Sequence, residues 1–560
     1  MNQTRYPMPF NRLFFLLTAL FIVSAVEGQD LPVGIPLIDD LQRNAQINGT
    51  YAASASYCIR PLAKGGDSVS GWSTFSLLPD SARWSQRLRC VLLPPSTIVQ
   101  YNHHHPYGWS NGPMIPNVGA QFFATAGLYV KVGFLEAQYQ PEWVYAQNKA
   151  FMNPPARAVS IDMPDRFGTE AYRYSGAGQS YVRANMGPVR VGLSAENIWW
   201  GPGHYNSLLM SNNAPGFIHG AVETSKPLKT KVGTFEAQMI GARMRFSGYQ
   251  YARDVDGSWP PSLPDVYRDT TVDILRKNFN GLVVAYQPVW LPGLSVGGAR
   301  SVFFETDSVA SFYDYLQVFL PVLKVISGED GGARNQLVSL FMRYKLPESK
   351  AEFYFEYARE DAAWDFEDLI TEPEHTRAYL VGGRKLQPLL KKNAYLEIVG
   401  EITQLQQGFS IISRARNYSF YTHGTTTNYT HRGQVLGAGI GPGSNMQTMS
   451  IIRREGVKAL GVVLERVIYN NDMFYTRLPY LWLGGSNPFF VDASKHYTDL
   501  SGTVVYSTPY KQWLLTARLQ GLKTYNFNWI YDPNGVPNDF RFPGISAFSI
   551  NATVSALYRF

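Results

Sequence analysis

The chain has 560 residues, 45% of them hydrophobic, 14% aromatic and 17% charged, with 2 Cys and a formal net charge of +7. Such a composition excludes a disordered chain, a collagen-like repeat and a disulfide-dense miniprotein, and so small a charge on so long a chain carries no nucleic-acid footprint. With 35 Tyr, 32 Phe, 12 Trp and 49 Gly, a mean hydropathy of −0.17 and no linker of biased composition, the sequence predicts one large architecture of amphipathic strands rather than helices.

Residues 1–28 read as a secretory signal peptide. Arg5 and Arg12 flank the start of an apolar run from Leu13 to Val26, and small residues follow to Gly28. The run is too short for a spanning helix, which needs ~20 residues, and the residue exposed by cleavage is Gln29 rather than the Cys of a lipoprotein. Loss of Arg5, Arg12 and Glu27 with the leader lowers the net charge from +7 to +6. Residues 29–92 lack strand alternation. Pro36 can open a short helix through Leu37, Ile38 and Leu41, and Pro79-Asp80-Ser81 a second through Trp84 and Leu88. This stretch is expected to be a small helical periplasmic region at or in the mouth of a barrel. Its Cys58 and Cys90 are either a disulfide or two buried thiols; neither has the neighbouring Cys or His of a zinc site. No metal or cofactor is expected.

Residues 93–560 show segments near ten residues long in which apolar and polar side chains alternate, the period of a strand with two different faces. Leu135, Ala137 and Tyr139 alternate with Glu136, Gln138 and Gln140; Val189, Val191, Leu193 and Ala195 with Arg190, Gly192, Ser194 and Glu196. The pattern recurs at Tyr395–Ile402 and Trp513–Gln520. Short links at Lys131–Gly133, Met186–Pro188, Pro288–Gly293, Pro347–Lys350 and Ser507–Gln512 alternate with long ones near 147–177, 199–216, 247–277, 305–333, 405–431 and 527–544. One rim of tight turns and one of long loops is the mark of a transmembrane antiparallel outer-membrane β-barrel, its long loops extracellular. The chain ends on Phe548, Ile550, Ala552, Val554, Ala556, Tyr558 and Phe560 on one face, and Tyr558 with the terminal Phe560 resembles the closing-strand signal read by the barrel-assembly machinery. Counting strand pairs from Ser96–Tyr101 to Phe560 gives 18 strands. The alternative is 16, because Gly441–Gly456 is too long for a tight turn. On these faces a charge at Leu396, toward lipid, is expected to be costly, and one at Glu397, toward the interior, milder.

The densest candidate site is Glu196–His204 with Ser207–Gly216, on an extracellular link. Trp199 and Trp200 could present ring faces to sugars, with His204 beside them and Asn212 and Asn213 bonding hydroxyls as donor and acceptor. Against this stands a structural role, in the interfacial aromatic girdle or as a loop folded inward as a constriction. His103-His104-His105 with Trp109 make a second polar-aromatic loop; successive side chains of an extended segment point apart, so one metal rarely takes all three. His423, His431 and Arg432 with Tyr421 and Tyr429 form a third patch, in which Arg432 could attract an acidic polymer. Interior positions carry both signs, Arg190, Arg343 and Arg518 against Glu136, Glu352, Glu356, Glu397 and Glu401, a density that favours pairing over an open channel. No nucleophile constellation is present, so an enzyme is not expected.

Glu196-Asn197-Ile198-Trp199-Trp200-Gly201-Pro202-Gly203 with Ser207–Gly216, supported by Gln100–Trp109, Tyr145–Lys149 and Asp162–Gly168, resembles the Wzi capsule-assembly family of Gram-negative outer-membrane proteins. The resemblance runs through most of the mature chain and is weakest in 29–92 and the later long loops. It implies an 18-stranded barrel with a helical periplasmic part, a lectin-like protein that holds capsular or other surface polysaccharide. The rival class is a diffusion channel or exporter, which would conduct in a planar bilayer.

Overall fold

A computed structural model describes residues 30–49, 55–63, 74–77, 88–151, 163–164, 166–249, 276–305, 318–319, 334–360, 366–391, 393–408, 419–422, 428–477, 493–529 and 544–560. The expected signal peptide, the second helix at 79–84 and His423 lie outside them.

Eighteen antiparallel strands close into a barrel. In chain order they are β1 (Leu88–Tyr107), β2 (Asn117–Val132), β3 (Leu135–Tyr139 continued by Glu142–Ala146), β4 (Tyr172–Gly176 continued by Tyr181–Met186), β5 (Val189–Ser194) and β6 (His219–Thr224). Then come β7 (Gly233–Arg245), β8 (Arg276–Pro288), β9 (Leu294–Glu305), β10 (Arg334–Leu346), β11 (Ala351–Glu360) and β12 (Arg377–Pro388). The last six are β13 (Ala394–Gln404), β14 (Asn445–Glu455), β15 (Lys458–Ile468), β16 (Thr498–Tyr510), β17 (Trp513–Tyr525) and β18 (Ala547–Tyr558). Closure is made by β18 on β1, in register from Asn551↔Asn102 to Leu557↔Ser96. Every strand then has two neighbours, as a backbone in hydrocarbon requires.

The reason for strands is written in the pleat. Along β17 Trp513, Ala517 and Leu519 are exposed while Leu514 and Gln520 are buried, and along β18 Phe548, Ile550 and Val554 are exposed while Ser549 and Asn551 are buried. An exposed belt of Leu, Val, Ile and Phe around a polar interior is the arrangement that lipid selects. Turns between β2 and β3, β4 and β5, and β14 and β15 hold two residues each, with Gly133, Gly187 and Gly456 at positive φ in the first position, where a Cβ would be strained. At the same rim Trp513 packs on Tyr558 (5.0 Å) and Tyr558 on Phe560 (5.1 Å), part of an interfacial aromatic girdle.

The structure differs from the sequence reading at two places. β1 begins at Leu88 rather than 93, with a break in register between Leu93 and Ser96 where Pro94 and Pro95 have no N–H to give the ladder; Leu88 is therefore in a strand, not a helix. The span Gly441–Gly456 is no link: most of it is β14, and Gly456-Val457 alone form the turn. Of the two states left open for Cys58 and Cys90 the structure has the free thiols, the first buried and the second half-buried. The expected helix is present as α1 (Pro36–Ile47), with Pro36 in its first turn, and it is held by charge to the barrel interior. Asp40 accepts from Arg384 (3.0 Å) and Arg454; Arg43 donates to Glu352, which also takes Arg343 (2.6 Å). Glu397 binds Arg454 (2.9 Å) and Arg384 (3.4 Å) and accepts from Asn44. These groups sit near the short-turn ends of β10–β14, so α1 occupies that end of the lumen, where Ile38 also meets Leu514 and Leu557.

Two substitutions separate the faces. Leu519→Arg, at the centre of the lipid face of β17, is expected to cost ~2–4 kcal/mol and to reduce the heat-modifiable form on gels. Glu397→Arg, read from the sequence as mild, is instead expected to be at least as damaging. It leaves Arg384 and Arg454 buried beside a third guanidinium, and breaking a buried pair costs ~3–5 kcal/mol; urea unfolding of the purified barrel measures it.

Candidate functional site

The segment 195–217 between β5 and β6 turns into the barrel. Trp199 and Trp200 form a two-residue ladder with Ile59–Arg60, and Trp200 N–H bonds Met210 O (3.0 Å). Glu401 on β13 holds the innermost bend: its carboxylate accepts the backbone N–H groups of His204 (2.7 Å), Tyr205 (3.1 Å) and Asn206 (2.9 Å) and the hydroxyl of Tyr354 (3.0 Å). Glu356 takes Leu208 N–H (3.2 Å). These two interior carboxylates, read from the sequence as partners for Arg, instead satisfy a loop backbone that no ladder could reach. Behind the bend, Trp200, Leu208, Leu209 and Met210 pack with Phe279, Phe303 and Phe341 in an apolar core inside the β7–β13 half of the barrel.

The other half is polar and open. A cavity of about 360 Å³ lies between the inward segment and the walls β14–β18 and β1. Its wall carries hydroxyls and amides at inward positions: Ser450, Thr503, Ser507, Thr516, Gln520, Asn551, Thr553 and Ser555. From Leu514 to Gln520 on β17 the lining covers ~20 Å of strand at ~3.3 Å per residue. One end is bounded by Pro32–Leu37, ahead of and opening α1, and the other by Tyr107–Met114.

Four of the residues singled out in the sequence meet here: Trp109, Trp199, His204 and Asn212 all line the cavity. Trp199 is buried and stacked under Arg60, 4.4 Å from the ring centre. Trp109 stacks on Tyr107 (4.8 Å). Asn212 donates to Ser110 O (3.1 Å), tying the β1–β2 loop to the inward segment. His204 accepts from Arg384 (2.9 Å); burial first, then the charges of Arg384 and Arg43, hold its pKa well below the ordinary imidazole value.

The remaining candidates lie elsewhere. Trp200 is fully buried in the apolar core, its Nε1 donating to Gln238 (2.7 Å), so it offers no ring face to a ligand. Asn213 is pinned in structure, donating to Val435 O (2.9 Å) and accepting from Ser110 N (3.1 Å). His103 is exposed, whereas His105 is buried against Thr524 (2.8 Å). Arg432 sits over Tyr174 (5.3 Å), and His431 is buried beside Phe217. Sequence reasoning missed Arg60, Thr503 and the amide pair Gln520 and Asn551 (2.9 Å); the inward parity of β16–β18 was the signal that could have found the last three, and Arg60 had none.

Comparison with known proteins gives the relation. Residues 102–454 match the family described as capsule assembly protein Wzi. The chain belongs to this family. No curated protein sequence matches it. Among solved structures it resembles Wzi of Escherichia coli, described as a carbohydrate-binding β-barrel of the outer membrane involved in group 1 capsule assembly. The identity is 14%, with 95% of this chain and 100% of that one covered and a TM-score of 0.57. Further matches are OprB of Pseudomonas putida (11% identity, 84% and 94% covered, TM-score 0.35) and OccAB2 of Acinetobacter baumannii (9%, 83% and 98%, 0.37). At 14% identity the likeness to the E. coli structure speaks for the fold alone. The protein is a Wzi-family barrel of a Gram-negative outer membrane.

The loop packing carries a pH dependence. Burial, with Arg432, Lys277 and Arg245 near by, lowers the pKa of His431 to about 3, while its Nδ1 accepts from Arg245 N (3.2 Å). The unfolded imidazole takes a proton near pH 6.5 and the folded one only near 3, so stability present above 6.5 is lost as pH falls between them. The hydrogen-exchange protection factor of segment 428–441, taken against the intrinsic rate at each pH, is expected to fall across that window in the wild type and to fall less in His431→Gln, which keeps an acceptor.

Proposed function

We propose that the protein binds and organises capsular or related surface polysaccharide at the cell surface, without catalysis. The observation that carries this reading is the convergence of Trp109, Trp199, His204 and Asn212 on one cavity walled by hydroxyls and amides. A sugar ring offers apolar C–H faces edged by hydroxyls, and a wall of aromatic rings with paired donors and acceptors is their complement. Membership of the Wzi family supports the same reading, as does the carbohydrate binding ascribed to the E. coli barrel. The exposed apolar belt takes outer-membrane lipid as its partner, and Tyr558 with Phe560 serves the barrel-assembly machinery as the closing-strand signal.

The test is capsule retention. Trp199→Ala combined with Asn212→Ala is expected to shift polysaccharide from the cell-bound to the shed fraction, at equal amounts of assembled barrel. Unchanged retention would return these residues to a packing role. A large steady conductance of the wild-type protein in a planar bilayer would favour a channel instead.

A further inference from the structure

Among the described residues, most interior guanidiniums of this barrel have a carboxylate partner. Arg343 is paired with Glu352, Arg384 with Asp40, Arg454 with Glu397, Arg190 with Glu223 and Arg183 with Glu196. Arg60 donates to Gly203 O (3.1 Å). Arg518, at an inward position of β17 and on the cavity wall, makes no hydrogen bond or ion pair among the described residues. Its cross-strand partners are Val505 and Thr553, neither of which brings a carboxylate. The charged group that acts on it is Glu465, beyond ion-pair distance and itself taking the hydroxyls of Tyr107 and Ser501 (both 3.4 Å).

Arg518 is half-buried, and the same cavity wall carries buried atoms without a hydrogen bond among the described residues: the indole N–H of Trp199, the hydroxyls of Ser110, Ser450 and Thr503, Arg60 Nε and one carboxylate oxygen of Glu142. A polar group without a partner on a cavity wall is free to bond a ligand that brings one. A planar guanidinium fork is matched best by a carboxylate, which can take two parallel N–H bonds. The neighbouring hydroxyl and indole donor suit the ring hydroxyls of a sugar. The volume, about 360 Å³, falls in the ~300–1,000 Å³ range of small-molecule sites.

We propose that this cavity is the receptor for an acidic sugar unit, with Arg518 reading its carboxylate and Thr503 and Trp199 its hydroxyls. The proposal rests on the polysaccharide reading and narrows it to an anionic glycan held within the barrel wall rather than on the outer loop surface.

Oligosaccharides released from the capsule of the producing strain provide the probe, used as isolated and after chemical reduction of their carboxyl groups to alcohols. Binding to the purified full-length barrel is measured by calorimetry. The wild type is expected to bind the native fragments at least about tenfold more tightly than the reduced ones, the scale of a charge-assisted bidentate pair. Arg518→Gln should abolish that preference, and Arg518→Lys, which keeps the charge but loses the fork, should retain part of it. Equal wild-type affinity for both probes would overturn the acidic-sugar assignment while leaving polysaccharide binding in place. A preference that survives in Arg518→Gln would overturn the role of Arg518. Failure of the wild type to bind either probe would remove both readings. If Arg518→Gln does not assemble, the wild-type comparison together with Arg518→Lys still decides.

Discussion

A barrel of eighteen strands is too wide for its own side chains to fill, and the rest of this structure depends on how that space is occupied. The filling is segment 195–217, and its hinge is the Glu401 carboxylate, which gathers three successive backbone N–H groups of the bend at His204–Asn206. A loop carried into a membrane-embedded interior loses water as a partner for its backbone, so a carboxylate that accepts several donors at once is an efficient replacement. With the bend fixed, Trp200 and the Leu208–Met210 run are delivered to the β7–β13 side, where they meet Phe279, Phe303 and Phe341.

That one-sided packing makes the interior asymmetric. Half the wall is buried against an apolar core, and the other half, β14–β18 with β1, faces open space and keeps its hydroxyl and amide side chains. The same two Trp residues divide the labour: Trp200 is buried as a core residue and Trp199, one position before it, turns to the polar half. Neighbouring residues of an extended segment point to opposite sides, so a two-residue ladder with Ile59–Arg60 is enough to set which ring does which.

The barrel was legible because each strand carries its own evidence: the alternation at Leu135–Gln140 or Trp513–Gln520 needs no knowledge of partners. The exception, β14, shows why. Its outward face carries Gln447 and Arg453 and its inward face Met446 and Ile452, so neither face is uniformly apolar or polar and the segment reads as a link. Partnerships across the lumen were not legible. Nothing near Glu397 indicates Arg454, Arg384 or Asn44, which come from two other strands and a helix, so an interior charge looked replaceable when it is locked. The inward turn of Trp199-Trp200 was visible as one of two options only, because an aromatic pair on a loop reads alike whether it meets sugar or core. The family resemblance supplied what local pattern could not, the connection of that loop to polysaccharide.

The placement of α1 also orders events in the making of the protein. Arg43 finds its partner Glu352 at a sequence separation of 309, and Asp40 finds Arg454 at one of 414. Contacts of such sequence separation form late, since the chain between them must first be arranged. The helix emerges among the first parts of the chain but has no counter-charges to settle on until β10–β14 stand side by side. Docking of the plug is therefore a reporter of a completed wall: a chain that stalls with those strands unpaired leaves Asp40 and Arg43 in water, where proteases can reach the N-terminal segment that the finished barrel protects.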